Sequence, residues 1–352
     1  MKDLRYDLFI LAVLAVAVIP SISSAQSNTG TIGPPDTNYN VIAPPPLGVP
    51  PGAPQSLPPY PGWVTSSPAS NWDSPWNYYN FNAPGGPLPY DYQTTFNLGG
   101  QFLIQGRMAA DNGACLWANS VYLGLGNCTP NPGGFKWYTH FTIPTSNTLG
   151  GVNTVDFKVT NLSFVTGLRV EFFCTPPAGY NLVSYVDGPA NGTVNAWTIN
   201  FGFVVSDTFQ TSGATISGFC LYLWVPSGAL PLSVEASVTS GENGGTTYFD
   251  GVVPLTCAVY CKANDPQQKP VYGSVCGGTS GTAYDVYACT GPMAFPIAAG
   301  TWWLNLQNGV TNTGDPLFWD QASGPLCPGS DCPSSASENT IGTIPPEAFD
   351  IF

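Results

Sequence analysis

The chain has 352 residues, a formal net charge of −13 and 8% charged residues, whereas about 25% is average for a globular protein. With only 8 Lys and Arg residues, the chain cannot form a surface that follows nucleic-acid phosphates, so a nucleic-acid-binding protein is excluded. The 40 Gly and 36 Pro residues disfavour a helical bundle, while the 43% hydrophobic residues suffice to bury a core. The composition therefore predicts an acidic, all-β protein.

The N-terminus has the pattern of a secretory signal peptide. Lys2 and Arg5 precede an apolar run at residues 8–19, which is too short to span a bilayer. Small residues follow, so we predict that residues 1–25 are a signal peptide cleaved after Ala25; a membrane anchor is the alternative. We expect the mature chain to be secreted or held at the cell surface, without a membrane span.

The cysteines are even in number and all follow the predicted signal peptide, which indicates five disulfides in an oxidising compartment. Sequence proximity suggests the pairs Cys115–Cys128, Cys276–Cys289 and Cys327–Cys332. A zinc site is the alternative, but its C-x3-C and C-x12-C spacings lack a C-x2-C element. That site would use Cys257, Cys261, Cys276 and Cys289. The ten cysteines are Cys115, Cys128, Cys174, Cys220, Cys257, Cys261, Cys276, Cys289, Cys327 and Cys332.

The remaining chain divides into three parts by composition. Residues 26–88 are rich in Pro, Gly, Ser and Asn and predict an extended spacer outside the sheets, whose aromatic end from Trp63 packs on the next domain. Short strands separated by turns then predict two β-sandwich or jelly-roll domains, residues 89–190 and 191–352, with the joint near residues 188–194.

Alternation of apolar and polar residues over residues 135–143 predicts a half-buried strand. On this strand His140, the sole histidine, falls on the polar face, so we interpret it as a surface residue. Further strands are predicted at residues 152–159, 168–173, 197–205, 216–224, 232–238, 246–252, 283–288 and 302–306.

Residues for catalysis are sparse. The sequence has no G-x-S-x-G elbow, and one histidine gives little scope for a Ser-His-Asp triad. A two-carboxylate glycoside hydrolase stays an alternative, although most of the carboxylates resemble turn or solubilising residues. The candidate catalytic carboxylates are Asp156, Glu171, Asp187, Glu235, Glu242, Asp315 and Asp320. We therefore expect a protein that is not an enzyme.

Candidate ligand-binding residues are aromatic or lie in polar turns. Trp117, Trp302 and Trp303 are candidates for stacking on a sugar ring; because Trp302 and Trp303 are adjacent, one of them points inward. The Asp111-Asn112 turn and Asp315 are candidates for a structural Ca²⁺ site, with ordinary turns as the alternative. No other cofactor is predicted.

Two stretches carry a family resemblance. Residues 92–98 (YQTTFNL), 106–112 (GRMAADN), 141–144 (FTIP), 151–161 (GVNTVDFKVTN) and 166–171 (TGLRVE) occur in the order found in galactose-binding-like jelly-roll modules. This part of the chain resembles such modules in secreted bacterial proteins, including exosortase-sorted exoproteins. Where the family has an Asn-Gly turn, this chain has Asn119 followed by Ser120, and residues 347–352 lack the hydrophobic and basic pattern of an exosortase sorting tail, so we do not expect anchoring of that kind.

Residues 204–209, 300–306, 318–320 and 344–349 similarly resemble a C-terminal β domain of secreted proteins from soil bacteria. The first resemblance implies non-catalytic glycan binding and adds Asn119, Asp111 and Asn112 to the candidate ligand residues. We therefore expect a secreted protein that binds polysaccharide or a cell-surface glycan. A structural or adhesive surface subunit that self-associates is the alternative, and a glycoside hydrolase is less favoured.

Overall fold

A computed structural model describes residues 28–29, 35–42, 52–61, 63, 70–75, 90–98, 104–124, 134–162, 165–174, 185–187, 190, 196–263, 284–322 and 335–352. Over these residues the protein is all-β, with antiparallel sheets, which confirms the predicted fold class. None of the described residues forms a helix long and apolar enough to cross a lipid bilayer. The predicted signal peptide, residues 1–25, lies outside the described residues.

The strands of the N-terminal half alternate with short connections, and two single 3-10 turns, Gly134–Lys136 and Thr145–Asn147, flank β8. The strands are β1 Tyr39–Val41, β2 Gln55–Leu57, β3 Trp72–Ser74, β4 Tyr90–Leu98, β5 Ile104–Asp111, β6 Gly113–Ala118, β7 Val121–Tyr122, β8 Thr139–Ile143, β9 Gly151–Thr160 and β10 Gly167–Phe173.

The C-terminal half contains eleven further strands among the described residues. They are β11 Tyr185–Val186, β12 Ala196–Thr198, β13 Val205–Pro226, β14 Pro231–Gly241, β15 Gly244–Pro254, β16 Thr256–Cys261, β17 Tyr284–Thr311, β18 Phe318–Asp320, β19 Ala336–Glu338, β20 Gly342–Ile344 and β21 Phe349–Ile351.

Two five-stranded sheets form a sandwich in the N-terminal half. Sheet I has the order β1-β4-β9-β6-β7, and sheet II has the order β2-β3-β10-β5-β8. Tyr92, Leu116 and Phe157 of sheet I and Val170 and Phe172 of sheet II are buried in one apolar cluster. Alternating side chains of both sheets therefore fill the space between them, as in other β-sandwiches.

The predicted spacer contributes to both sheets, which corrects the expectation that it lies outside them. β1 pairs with β4, with Tyr39 opposite Thr94, and β2 and β3 extend sheet II beyond β10. β1 and β2 are outermost in their sheets, and β3 lies between β2 and β10. The aromatic end does pack on the domain, since Trp63 and Trp72 are buried in one cluster with Ala109, Tyr138 and Val165.

Sheet III occupies the C-terminal half and is organised around two long strands. β13 has 22 residues and β17 has 28, and they pair from Val205 opposite Leu306 to Pro226 opposite Tyr284. Several short strands predicted from the sequence are therefore parts of these two strands. A second apolar cluster, which contains Phe219, is enclosed by the sheet.

The two halves are in direct contact. The ring of Tyr260 lies 5.2 Å from Phe173 of sheet II and 5.2 Å from Tyr222 of β13. A disulfide between Cys174 and Cys220 joins the same regions. The predicted joint at residues 188–194 lies almost entirely outside the described residues.

A second disulfide, between Cys257 and Cys289, joins the neighbouring strands β16 and β17. The predicted Cys276–Cys289 pair is therefore wrong, and Cys257 and Cys289 cannot be zinc ligands. The register places these two cysteines opposite each other, which sequence proximity could not reveal. Cys115 and Cys261 are also disulfide-bonded, and the other predicted pairs, Cys115–Cys128 and Cys327–Cys332, stay predictions because they involve residues outside the described ranges.

The turn after β12 holds an aromatic residue in an unfavourable backbone conformation. Phe201 has φ 59° and Gly202 has φ 91°, and the Phe203 amide donates to the Asn200 carbonyl across the turn. Two successive positive φ values define a turn that prefers Asn-Gly, and Phe201 is 66% exposed, so little burial compensates.

We predict that Phe201→Asn raises the free energy of unfolding by about 0.5–1 kcal/mol, because Asn tolerates the left-handed region better than Phe. Thermal and urea unfolding measure this effect. Phe203→Asn is the control, since Phe203 is not among the residues with positive φ. A loss of stability in Phe201→Asn would contradict the strain argument.

Candidate functional site

The outer face of sheet I carries a row of polar and aromatic side chains. Along β4, Tyr90, Tyr92 and Thr94 are buried inward, so Asp91 and Gln93 point to the opposite face. Residues opposite each other in register share a face. The register pairs Asp91 with Lys158, Gln93 with Asp156, Trp117 with Asp156 and Trp117 with Tyr122.

An aromatic pair forms one end of this row. The rings of Trp117 and Tyr122 have centroids 5.2 Å apart and are tilted by 47°. Lys158 Nζ lies 4.8 Å from the Trp117 ring, on the side of β9, which adds a cation–π contact. Tyr122 is 48% exposed on the edge strand β7. Trp117 is half-buried, so the pair presents the Tyr122 ring and part of the Trp117 ring to solvent.

Hydrogen-bonding groups continue the row across β9 and β4. Gln93 Nε2 donates to Asp156 Oδ1 at 2.8 Å, and Lys158 Nζ lies 3.4 Å from Asp91 Oδ2. Burial raises the pKa of Asp91, and the neighbouring Asp156 raises it further, whereas Lys158 opposes this shift. Asp91 Oδ1 is buried and has no partner among the described residues.

This arrangement suits a ligand with apolar ring faces and several hydroxyl groups. An aromatic side chain covers the apolar face of such a ring, while carboxylate oxygens accept and amide and ammonium groups donate at its rim. The side chains on this outer face, which we call the sheet I face, are Asp91, Gln93, Trp117, Tyr122, Asp156 and Lys158; Asp91 and Asp156 are buried within it, 5% and 8% exposed. Of the residues predicted as ligand-binding, Trp117 alone belongs to it.

Asn119 lies next to the sheet I face but has a structural position. It begins the turn between β6 and β7 with φ 48°, and Ser120 follows with φ 67°. Its Nδ2 donates to the Asn147 carbonyl and to Asn153 Oδ1, and its Oδ1 accepts from the Thr154 amide. The side-chain amide thus fixes the turn, as Asn does at positive φ.

Asp111 and Asn112 connect β5 of sheet II with β6 of sheet I. Both are buried, and Asn112 Oδ1 accepts from the Leu162 amide at 2.7 Å. Burial raises the pKa of Asp111 to about 7, and a hydrogen bond with Trp63 opposes the shift. The two residues hold the sheets together at this end and do not lie on the sheet I face.

The other candidate residues lie in sheet III. Trp302 is opposite Phe209 on the core side, and its indole donates to the Ala298 carbonyl at 3.1 Å. Trp303 lies on the other face, beside Thr208, as alternation predicts. Asp315 follows β17, and its backbone carbonyl accepts from Thr311 at the end of β17 and from Asn200 in the turn after β12. Asp111 and Asp315 therefore have separate sets of neighbours.

Within the described part of the chain, no three His, Cys, Asp or Glu side chains are grouped so that they could hold a metal ion. The Ca²⁺ site predicted at Asp111 and Asp315 therefore stays a prediction.

His140 is enclosed between the two halves, which corrects its interpretation as a surface residue. Its ring stacks on Phe173 at 6.0 Å and meets Tyr260 edge-on at 4.8 Å. Both ring nitrogens are buried without a hydrogen-bond partner among the described residues. Burial lowers the pKa of His140 to about 3, with a smaller lowering by Arg107.

Glu171, one of the carboxylates considered for catalysis, belongs to a buried ionic cluster beside His140. It accepts from Arg107 Nε at 2.6 Å, from Arg169 Nη2 at 2.8 Å and from Ser70 Oγ at 2.7 Å. The guanidinium carbon of Arg107 lies 4.1 Å from the ring centroid of Tyr138. Both carboxylate oxygens of Glu171 accept hydrogen bonds, and the residue is 1% exposed. Glu171 is therefore a structural counter-ion of the two arginines.

Sequence reasoning missed most of the sheet I face. Alternation along β4 would have placed Asp91 and Gln93 on one face, but only the pairing of β4 with β9 brings them to Lys158 and Asp156. Tyr122 follows the Asn119-Ser120 turn, which is the one local signal for its pairing with Trp117.

Comparisons with known proteins give no further guidance to function. No family model matches the chain, and neither a curated protein nor a solved structure matches it.

Proposed function

We propose that this is a secreted, non-enzymatic protein that binds polysaccharide or a cell-surface glycan through the sheet I face. The observation that carries the proposal is the pair of half-buried Trp117 and exposed Tyr122 beside the polar groups of Gln93, Asp156 and Lys158. Aromatic rings next to fixed donors and acceptors are the combination that a sugar ring requires. The disulfides are consistent with an oxidising, extracellular setting.

The charge of the sheet I face limits the kind of polysaccharide that it can bind. Two carboxylates accompany one ammonium group, and the chain carries a net charge of −13. An anionic polysaccharide would meet repulsion of long range at low salt. We therefore propose a neutral polysaccharide, bound in an extended form along the row from Tyr122 to Lys158 and Gln93, with the buried carboxylates of Asp91 and Asp156 positioning Lys158 and Gln93.

Binding is tested by affinity electrophoresis and pull-down with neutral plant, fungal and bacterial polysaccharides. Trp117→Ala and Tyr122→Ala are expected to weaken binding by about tenfold or more, equivalent to about 1.4 kcal/mol, because each removes half of the aromatic surface. Phe203→Ala, an exposed aromatic residue on sheet III's side of the molecule, is the matched control and should bind normally.

Three results would contradict the proposal: no retention of the wild-type protein on any polysaccharide, equal binding by the Trp117→Ala variant, and release of reducing sugar. The last result would replace it with a glycoside hydrolase. Thermal unfolding of each variant separates a lost contact from a lost fold.

A further inference from the structure

Two neighbouring turns at one end of sheet III carry exposed apolar side chains. The first turn, residues 200–203, connects β12 with β13 and includes Phe201 and Phe203, which are 66% and 37% exposed. The second turn connects β19 with β20 and includes Ile341, which is 59% exposed. We call these three side chains the apolar tips, because each belongs to a turn and not to the face of a strand.

Asn339 holds the two turns side by side. Its backbone amide donates to the Val204 carbonyl and its Nδ2 donates to the Gly202 carbonyl, while its Oδ1 accepts from the Val204 amide. The carboxylate of Glu338 accepts from the two backbone amides that follow Asn339, which fixes the second turn. A hydrogen-bonded frame therefore presents the apolar tips together.

The first turn keeps Phe201 in a backbone conformation that disfavours it. Its φ of 59° lies in the left-handed region, where Asn is preferred to a bulky aromatic residue. Residues held in sparsely populated backbone conformations cluster at functional sites. Because Phe201 is exposed and has a second exposed aromatic residue two positions away, its retention indicates an apolar contact with another molecule.

The small extent of the apolar tips favours a lipid surface over a protein partner. A stable protein interface buries about 800 Å² and about 20–30 residues on each side, whereas the tips are three residues in two turns. Insertion into a lipid surface has no such threshold, because its strength grows with the apolar area that enters the boundary between headgroups and acyl chains. Side chains at the ends of turns also reach such a surface before the sheets do.

The charge around the apolar tips limits the kind of lipid. Residues 199–204 and 339–344 contain no charged residue, and Glu338, at the base of the second turn, is 3% exposed. Attraction to anionic lipids depends on Lys and Arg near the surface, and the net charge of −13 opposes it. The apolar tips therefore suit a lipid surface that has no net charge.

We propose that Phe201, Phe203 and Ile341 insert into the headgroup region of a zwitterionic lipid bilayer and hold the protein at the membrane surface. The hydrogen-bonded frame of the two turns stays in water, and only the three side chains enter the lipid. The inference goes beyond glycan binding and does not depend on it, because the sheet I face belongs to the other half of the chain.

Flotation of the mature chain, residues 26–352, with phosphatidylcholine vesicles tests the proposal. A single myristoyl chain binds membranes with a constant of about 10⁴ M⁻¹, and three side chains bury less apolar surface, so half of the protein is expected to float at a lipid concentration on the order of 1 mM. Addition of phosphatidylglycerol is expected to weaken flotation at low salt, because the vesicles and the protein then repel each other.

Phe201→Asn and Ile341→Asn are each expected to weaken binding about tenfold, because each removes one of the three apolar tips. Phe201→Asn separates a lost contact from a lost fold, since the same substitution is expected to raise the free energy of unfolding. Ile341→Asn tests the second turn without a change in the first. Val252→Thr removes apolar surface from a side chain that is 70% exposed on β15, and as the matched control it should float like the wild type.

A wild-type protein that does not float would overturn the proposal, and so would equal flotation of the wild type and both Asn variants. Flotation that requires phosphatidylglycerol would overturn it in favour of an electrostatic contact. A dimer in sedimentation velocity that Phe201→Asn abolishes, without flotation of the wild type, would assign the apolar tips to a second copy. Trp117→Ala should float normally, so a failure of lipid binding is distinguishable from a failure of glycan binding.

Discussion

The free energy of unfolding is expected to decrease by several kcal/mol as pH rises from about 4 to about 7, because the native protein holds protons that the unfolded chain releases. Burial raises the pKa of Asp73, Asp320, Glu347 and Asp350 well above the ordinary range. Burial also raises the pKa of Asp111 to about 7.

The sign follows from the state that each carboxyl has in the native protein. A raised pKa contributes stability that is complete below the pKa of the unfolded chain, near 4, and is lost as pH rises through the native pKa. Each carboxyl that stays protonated while its unfolded counterpart ionises reduces stability by about 1.4 kcal/mol per pH unit. His140 opposes this trend, since its lowered pKa of about 3 makes the neutral imidazole the native form.

Between pH 4 and pH 7 the loss of stability from several carboxyls exceeds the gain from one histidine. At about 2–4 °C per kcal/mol for a domain of this size, the midpoint of thermal unfolding is expected to fall by about 10 °C or more. Scanning calorimetry at intervals from pH 4 to pH 7 measures the decrease. A midpoint that rises over this range would show that the buried carboxyls are ionised in the native protein.

Glu347→Gln is the diagnostic variant. Both carboxylate oxygens of Glu347 are buried without a hydrogen-bond partner among the described residues, and Asp207, Asp320 and Asp187 contribute to its raised pKa. Gln keeps the shape and cannot ionise, so the variant should match the wild type near pH 4 and exceed its stability near pH 7. Gln307→Glu is the opposite change, because it adds a carboxylate at a half-buried position that already faces Glu235. It is expected to lower the stability near pH 7, where Glu347→Gln raises it.

The second large effect is expected at the buried ionic cluster. Glu171→Gln leaves Arg107 and Arg169 buried, 4% and 0% exposed, without their shared carboxylate. Removal of one partner from a buried ion pair costs about 3–5 kcal/mol, and here one carboxylate serves two guanidinium groups. The variant is therefore expected to unfold at least about 10 °C lower, as followed by circular dichroism.

The matched control replaces the whole cluster with apolar residues. A variant with Arg107→Met, Arg169→Met and Glu171→Met leaves no unpaired charge, and such replacements are often neutral or stabilising. We expect it to recover most of the stability that Glu171→Gln loses. If both variants were equally unstable, the hydrogen bonds of the cluster with Ser70 would matter more than its charge balance.

Sequence patterns predicted the local structure better than the long-range structure. Alternation identified the inward positions of β8, where Phe141 and Ile143 are buried, because a period of two depends on the strand alone. The same pattern misplaced His140, since the face that looks polar in sequence is covered by Tyr260 from more than a hundred residues away. Amphipathic alternation does not reveal that a second layer covers the polar face.

The sheet I face illustrates the same limit. Trp117 was identifiable as a large aromatic residue in a polar context, but its neighbours Tyr122 and Lys158 come from two different strands. Their approach depends on the order β9-β6-β7, which no local pattern encodes. The Cys257–Cys289 disulfide depends in the same way on the register of β16 with β17.

The Cys174–Cys220 disulfide determines how the protein responds to a mechanical pulling force. It closes a covalent loop with a sequence separation of 46, anchored at the end of β10 and within β13. A tensile force transmitted along the chain from one half to the other passes through the sulfur bridge, so the enclosed polypeptide bears no load. Under force, only residues outside that loop can unfold and extend. The contour length of the fully stretched molecule is therefore shorter by the length of the segment between Cys174 and Cys220.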